Sequence, residues 1–262
     1  MTTAVGRSDS RTPLKHWILN QQLGKLVGSL STGLTPARPP FAVFDLCAGD
    51  GETQGGASSP SIIVKHGHHA YDRGVPYYAF LVERAPATFE QLKANLSPLP
   101  AWVRAECMDA REIRVKNVGN NQAVFIHADP NSIADWPISR GLLDSLTPTT
   151  TVLATMGCNV GGLKRLPAAS RADWYEYVEM ITGNLPSFHD VLLITLEGDA
   201  SQWAYMLRLP TKWRDDTAAD LFRRGRRFTS YELGIVALKK EPAEFAKQID
   251  VLFKTARERG DE

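Results

Sequence analysis

From residue 41 onward the chain alternates short apolar runs with stretches of helical periodicity. The runs at 41–46, 77–82, 102–107, 123–128, 151–155, 191–196 and 203–209 read as strands. Segments 59–70, 85–96, 137–146 and 171–182, lying between most of them, read as helices. Such alternation predicts an α/β fold: a Rossmann-like, doubly wound, mostly parallel seven-stranded sheet. Only residues 197–202 separate the last two runs, too few for a crossover, so these are expected to form an antiparallel hairpin at one edge. Before the first strand, Leu14, Trp17, Ile18, Leu23, Leu26, Val27 and Leu30 form a helical stripe opened by Thr12-Pro13, and a Pro- and Gly-rich connector follows. Segments 216–224 and 242–259 read as helices of a tail. The expected organisation is an N-terminal helix and connector over 1–40, an α/β domain over 41–210, and a helical extension over 211–262 packed on the same domain.

Composition narrows this picture little. The chain has 262 residues, 43% of them hydrophobic, enough for one well-buried α/β core. A formal net charge of +1 means that any nucleic-acid surface must be a local patch. Cys47, Cys107 and Cys158 are scattered without a C-x-x-C pair, which fits a reducing compartment. No apolar run approaches the roughly eighteen residues that mark a membrane helix, and the start lacks a signal-peptide core. A soluble, cytoplasmic protein is expected, with no membrane partner.

In an open α/β sheet the ligand lies beyond the C-terminal ends of the strands. The first strand runs into Asp45-Leu-Cys47-Ala48-Gly49-Asp-Gly51, where residues without side chains let a ligand approach the backbone. The second ends in Glu83, placed to accept from ribose hydroxyls; Asp109, after the third, is placed to accept from an adenine amine. The fourth ends in Asp129-Pro130-Asn131, a polar corner where a reacting group would sit. Each taken singly reads equally as a tight connection, a helix cap or a solvated charge; together and in order they point to a nucleotide-type cofactor. A dinucleotide fold expects its ribose acid about 20 residues after the glycine loop begins. Asp45 and Glu83 are much further apart, and D-x-x-A-G-x-G is not G-x-G-x-x-G, so nicotinamide cofactors fit poorly.

These residues resemble the successive motifs of class I S-adenosylmethionine-dependent methyltransferases. A closer resemblance is to the three-Cys-motif partner proteins, a bacterial and phage group of that fold, through Lys15-His16-Trp-Ile-Leu19, Gly55-Gly56 and Ser59-Pro60. The likeness covers roughly residues 13–160, and it departs at Asp50, where the family tends to have Pro, and at Asn131, where it tends to have Phe or Pro. It implies S-adenosyl-L-methionine as cofactor, with Gly49 and Gly51 under its methionine part, Glu83 on the ribose and Asp109 on the adenine. Asp45, Cys47, Ala48, Arg84 and Ala110 complete the expected cofactor set. Amino-methyltransferases of adenine and cytosine resemble the Asp129-Pro130-Asn131 corner, which implies these three as the catalytic set and a base amine as acceptor, adenine N6 favoured. Residue 132 is Ser where such enzymes carry an aromatic, and Trp136 is the candidate replacement for stacking a flipped base.

Arg223, Arg224, Arg226 and Arg227, followed by Phe228 and Tyr231, form a candidate phosphate-binding patch with aromatics nearby, DNA being favoured over RNA. The alternative is an ordinary solvated face. His66, His68 and His69 fan around a helix without supporting ligands, so no metal site is expected. Cys47 reads as packing, and Trp17, Trp174 and Tyr177 as residues buried against the sheet. Three functional readings stand: a nucleic-acid methyltransferase, a small-molecule or protein methyltransferase, and a catalytically silent cofactor-binding subunit; a partner protein or homodimer accommodates each.

Overall fold

The computed structural model describes residues 12–32, 40–52, 57–113, 123–130, 136–139, 141–142, 151–157, 189–197 and 203–238. The expected helices at 171–182 and 242–259 lie outside these residues, as do Asn131, Cys158, Trp174, Tyr177 and Gly55-Gly56; of the helix expected at 137–146, residues 137–139 are not helical, 141–142 are, and the others lie outside the described residues.

Eight strands form one sheet: β1 (Phe41–Asp45), β2 (Tyr77–Glu83), β3 (Val103–Cys107), β4 (Ala123–Ala128), β5 (Thr151–Gly157), β6 (His189–Glu197), β7 (Trp203–Pro210) and β8 (Glu232–Leu238). Their order across the sheet is β3-β2-β1-β4-β5-β7-β6-β8. The first five pair in parallel, and β7 runs antiparallel to both β5 and β6. The fold is thus α/β, mostly parallel with an antiparallel end. The expected antiparallel β6–β7 hairpin is present, with β7 seated between β5 and β6. One feature differs from the expectation: β8 pairs antiparallel with β6 and covers the hairpin's outer edge, so the sheet has eight strands and the tail contributes one of them rather than helices alone.

The described helices are α1 (Thr12–Ser31), α2 (Ser59–Asp72), α3 (Pro86–Asn95) and α4 (Arg214–Arg224). Every residue of β1 is buried, as expected of a central parallel strand covered on both faces. The period of two divides the core. Phe41 and Val43 pack with α1, α2 and α3 on one face, while Ala42 and Phe44 join Ile126, Ala128 and Trp136 on the other. Asp45, His127 and Asp129 are odd-numbered and follow the first set, toward α1. Trp17 is buried as expected. Trp136 is only 3% exposed within the second core, so it fills the interior instead of offering a surface for a base.

Because the chain moves from β1 outward to β2 and β3, then returns to β4 beside β1, the sheet has its topological switch between β1 and β4. In an open α/β sheet such a switch is where a ligand crevice is expected, beyond the strand ends.

α1 and α2 pack against each other with a polar contact, His66 Nε2 to Asn20 Oδ1 at 3.0 Å. Burial holds His66 down to about 4 from 6.5. A histidine kept neutral in the folded chain but free to charge when unfolded stabilises the fold above pH 6.5, and that contribution is lost as pH falls toward 4. The urea midpoint is therefore expected to drop across that interval, and His66→Gln to flatten the drop. A midpoint equally steep in the variant would contradict this assignment.

Candidate functional site

The glycine turn after β1 owes its shape to two residues in the left-handed region, Gly49 at φ 66° and Gly51 at φ 79°. Three contacts pin it. Gly49 N–H donates to Glu83 Oε2 at 3.1 Å, Ser58 Oγ donates to the Gly51 carbonyl at 2.7 Å, and Asn95 Nδ2 donates to the Asp50 carbonyl at 2.8 Å. Ser58 also caps α2, accepting from Ser61 N–H at 3.3 Å, which locks the turn to the helix after it. Asp50 accepts from Glu52 N–H at 3.0 Å, so the acid standing where the resembled family has Pro closes an Asx turn.

Glu83 accepts from Ala85 N–H with its other oxygen, at 2.7 Å. A carboxylate offers about four lone-pair sites, so each Glu83 oxygen keeps acceptor capacity for a diol. A Cβ placed on Gly49 would meet nothing described within 4 Å, while one on Gly51 would come 3.1 Å from Leu92 Cδ1. Among the described residues, space is therefore open at Gly49 and closed at Gly51. A pinned backbone, open on one side, with a two-oxygen acceptor beside it fits the ribose and methionine parts of S-adenosyl-L-methionine. Replacing Glu83 with Ala removes both anchored oxygens. Hydrogen bonds to a charged group are worth about 1.5–3 kcal/mol, so cofactor affinity measured by calorimetry is expected to weaken about ten- to a hundredfold. An unchanged Kd would exclude Glu83 from the site.

Asp109 is held by a neighbour that the sequence reading did not single out. Arg111 donates to it from Nε at 2.9 Å, from Nη2 at 2.5 Å and from its backbone N–H at 2.9 Å. These bonds hold the Asp109 carboxyl down to about 2. An adenine amine would share this carboxylate with the guanidinium. Arg84 is exposed beside it, whereas Ala110 and Ala48 are buried.

Asp45 departs from its expected place in the cofactor set. It has no exposed surface, and its Oδ1 lies 3.0 Å from His127 Nδ1, itself fully buried one strand away at the paired position. Asp45 thus supports the turn from beneath instead of lining the crevice. Cys47 is half-buried; burial, then the Asp129 and Asp45 carboxylates, push its thiol well above the usual range, so it is no nucleophile.

Asp129 stands beyond the end of β4, and Pro130 beside it is buried. Lys15 of α1 donates from Nζ to Asp129 Oδ2. His16, the next residue, is held down to about 4 by burial first and by the Lys15 charge second. Thus α1 enters the site from 114 residues away in sequence, through a contact with no local signal.

The four arginines of the basic segment are all exposed. Arg223 and Arg224 close α4, where cations are favoured by the helix dipole, and Arg226 and Arg227 lie in the 3-10 turn Gly225–Phe228. That turn rests on α1: Trp17 stacks on Phe228 at 5.4 Å, and a Cβ on Gly225 would lie 3.5 Å from Leu14 and 3.6 Å from Trp17. Phe228 therefore gives one ring face to Trp17. The histidines of α2 diverge, His66 toward Asn20 and His68 toward Trp102 at 5.3 Å, and no group of three metal ligands occurs among the described residues. No described helix is long and apolar enough to cross a membrane.

No protein-family model matches the chain, and no curated protein does. Among solved structures, a Legionella pneumophila protein of the family designated DUF519 aligns over 90% of this chain and 97% of its own, with TM-score 0.55 and 11% identity. That likeness shows a shared fold. A precorrin-6y C5,15-methyltransferase from Geobacter metallireducens aligns over 72% of this chain and 86% of its own, at TM-score 0.39 and 12% identity. The plantazolicin methyltransferase in complex with SAH aligns over 76% and 85%, at TM-score 0.41 and 9% identity.

Proposed function

We propose that the chain is an S-adenosyl-L-methionine-dependent methyltransferase acting on an exocyclic base amine of nucleic acid, adenine N6 in DNA being the favoured acceptor. The observation that carries the enzyme class is the glycine turn held by Glu83 at the switch point, with the Asp129 carboxylate standing beyond the neighbouring strand. The closer resemblance to three-Cys-motif partner proteins rests on Lys15-His16 and Ser59-Pro60, which occupy working positions here: Lys15 on Asp129, and Ser59-Pro60 opening the helix that Ser58 caps.

When bound, the cofactor supplies a methyl on a sulfonium that carries its own leaving group. The protein is then left mainly with orientation. Gly49, Gly51 and Glu83 would hold the cofactor, Asp109 with Arg111 would receive its base, and Asp129 would accept from the acceptor amine and aim its nitrogen; as the nitrogen–methyl bond replaces the sulfur–methyl bond, the proton the nitrogen sheds would leave through Asp129 to solvent.

The acceptor class draws support from α1, which touches both Asp129 and the arginine turn within one helical turn, at Lys15 and at Leu14 and Trp17. A strand whose phosphates lie on Arg226 and Arg227 would run against the helix that carries Lys15. Binding to duplex DNA is therefore expected to weaken steeply with salt, and Arg226→Gln with Arg227→Gln to reduce the slope of log K against log salt by about 0.9 for each phosphate no longer neutralised. Absence of labelled methyl transfer to DNA, RNA and tRNA at low salt would exclude the nucleic-acid acceptor. Absence of cofactor binding would exclude every methyltransferase reading. Low sequence selectivity is part of this proposal; methylation confined to one long sequence would refute it.

One observation favours a second reading. The Asp129 carboxylate already holds the Lys15 ammonium, as it would in a cofactor-binding subunit without turnover of its own.

A further inference from the structure

We infer that Lys15 is a positioning residue for methyl transfer, acting through Asp129: its ammonium fixes the orientation and charge of the carboxylate that receives the acceptor amine. The inference rests on the methyltransferase reading and adds the N-terminal helix to its machinery.

Four observations lead here. Lys15 and Asp129 are both substantially covered, at 13% and 24% side-chain exposure, so their contact is not a loose surface pair. Lys15 is rigidly borne, since Leu14, Trp17, Ile18 and Leu19 on the same turn and the next are buried in the main core. The ammonium takes Oδ2 of the carboxylate, which orients the plane of the group. Finally, the local charge pattern needs a cation. Asp45 and Asp129 both act on His16 and on Cys47, Glu83 acts on Cys47, and His127 acts on His16. With His16 held neutral down to about 4, Lys15 is the cation in contact with Asp129 at neutral pH. A carboxylate clamped by a lysine is a fixed acceptor, and an amine that hydrogen-bonds to a fixed acceptor has its lone pair aimed.

The test compares Lys15→Met, Lys15→Gln and Lys15→Arg with the wild type in calorimetry against S-adenosyl-L-methionine and in methyl transfer to the best nucleic-acid acceptor. A positioning role predicts cofactor Kd within about twofold of wild type and kcat reduced up to about a hundredfold in the neutral variants, the scale of a small misplacement of reacting groups. Lys15→Arg, which keeps the cation, should recover most of kcat. Turnover unchanged or raised in Lys15→Met overturns the inference, since Lys15 would then be idle or an obstruction to the acceptor. Loss of folding or of cofactor binding in both neutral variants, or an Arg variant no better than Met, overturns it in favour of a purely structural contact. A wild-type protein that binds no cofactor fails at the earlier step, and the methyltransferase reading falls with this inference.

Discussion

Asp129→Ala is expected to lose about two to four orders of magnitude in turnover while binding S-adenosyl-L-methionine as tightly as the wild type. Positioned proton acceptors and preorganised polar groups typically contribute on that scale. Asp129 lies beyond β4, while the glycine turn to which the proposal assigns the cofactor is held by Glu83, Ser58 and Asn95. Removing the carboxylate leaves those anchors in place. Asp129→Asn should fall between wild type and Ala, because its amide oxygen still accepts but carries no charge to hold Lys15. Single-turnover rates and calorimetry on the same preparations separate the two quantities. Turnover within threefold of wild type, or a parallel collapse of cofactor affinity, would remove Asp129 from the acceptor site.

The second large effect concerns stability. His127→Leu is expected to cost about 3–5 kcal/mol, the penalty for leaving one member of a buried polar pair without its partner. In a domain of this size that corresponds to a fall of about 6–20 °C in Tm. Both partners have zero exposure, and neither Asp45 Oδ2 nor His127 Nε2 has a hydrogen-bonding partner among the described residues, so no described group takes over the charge. Substituting both residues with Leu should recover much of the stability, since an apolar pair of similar volume needs no compensation. Urea unfolding of the two single variants and the double measures the coupling directly. A single variant within 1 kcal/mol of wild type would mean that the pair contributes little.

The strands were largely legible because each is a compact apolar run ended by a polar residue or a turn. β4 matches its expected bounds at both ends, and β1, β2 and β3 each differ by one residue at one end. Lateral order was harder. The short link after β6 requires antiparallel pairing with β7 but says nothing about which side β7 takes. The deciding signal is that Ala204, Tyr205, Met206, Leu207 and Leu209 are all buried, a two-faced apolar run proper to an interior strand. β8 has Gly234 as its third residue, and residues 234–236 are only half-buried, so its run lacked contrast.

In the site, the glycine turn and Glu83 were visible because their chemistry is local. Asp45 was misplaced because a strand-ending acid looks the same whether it faces a ligand or a histidine on the adjacent strand, and only the register of β1 with β4 distinguishes them. Lys15 and Arg111 escaped notice as partners for opposite reasons. The first contact spans 114 residues, and the second spans two, where it passes for an ordinary surface charge.

The insertion of β7 between β5 and β6 bears on how the chain emerges during synthesis. β5 is complete at Gly157 and β6 at Glu197, but the strand that joins them begins only at Trp203. At about 5–20 residues per second, the outer edge of β5 stays without its neighbour for several seconds after the β1–β4 half has left the ribosome. Pulse-labelled nascent chains stalled before residue 203 are therefore expected to be the aggregation-prone species, their bare β5 edge being a template for foreign strands.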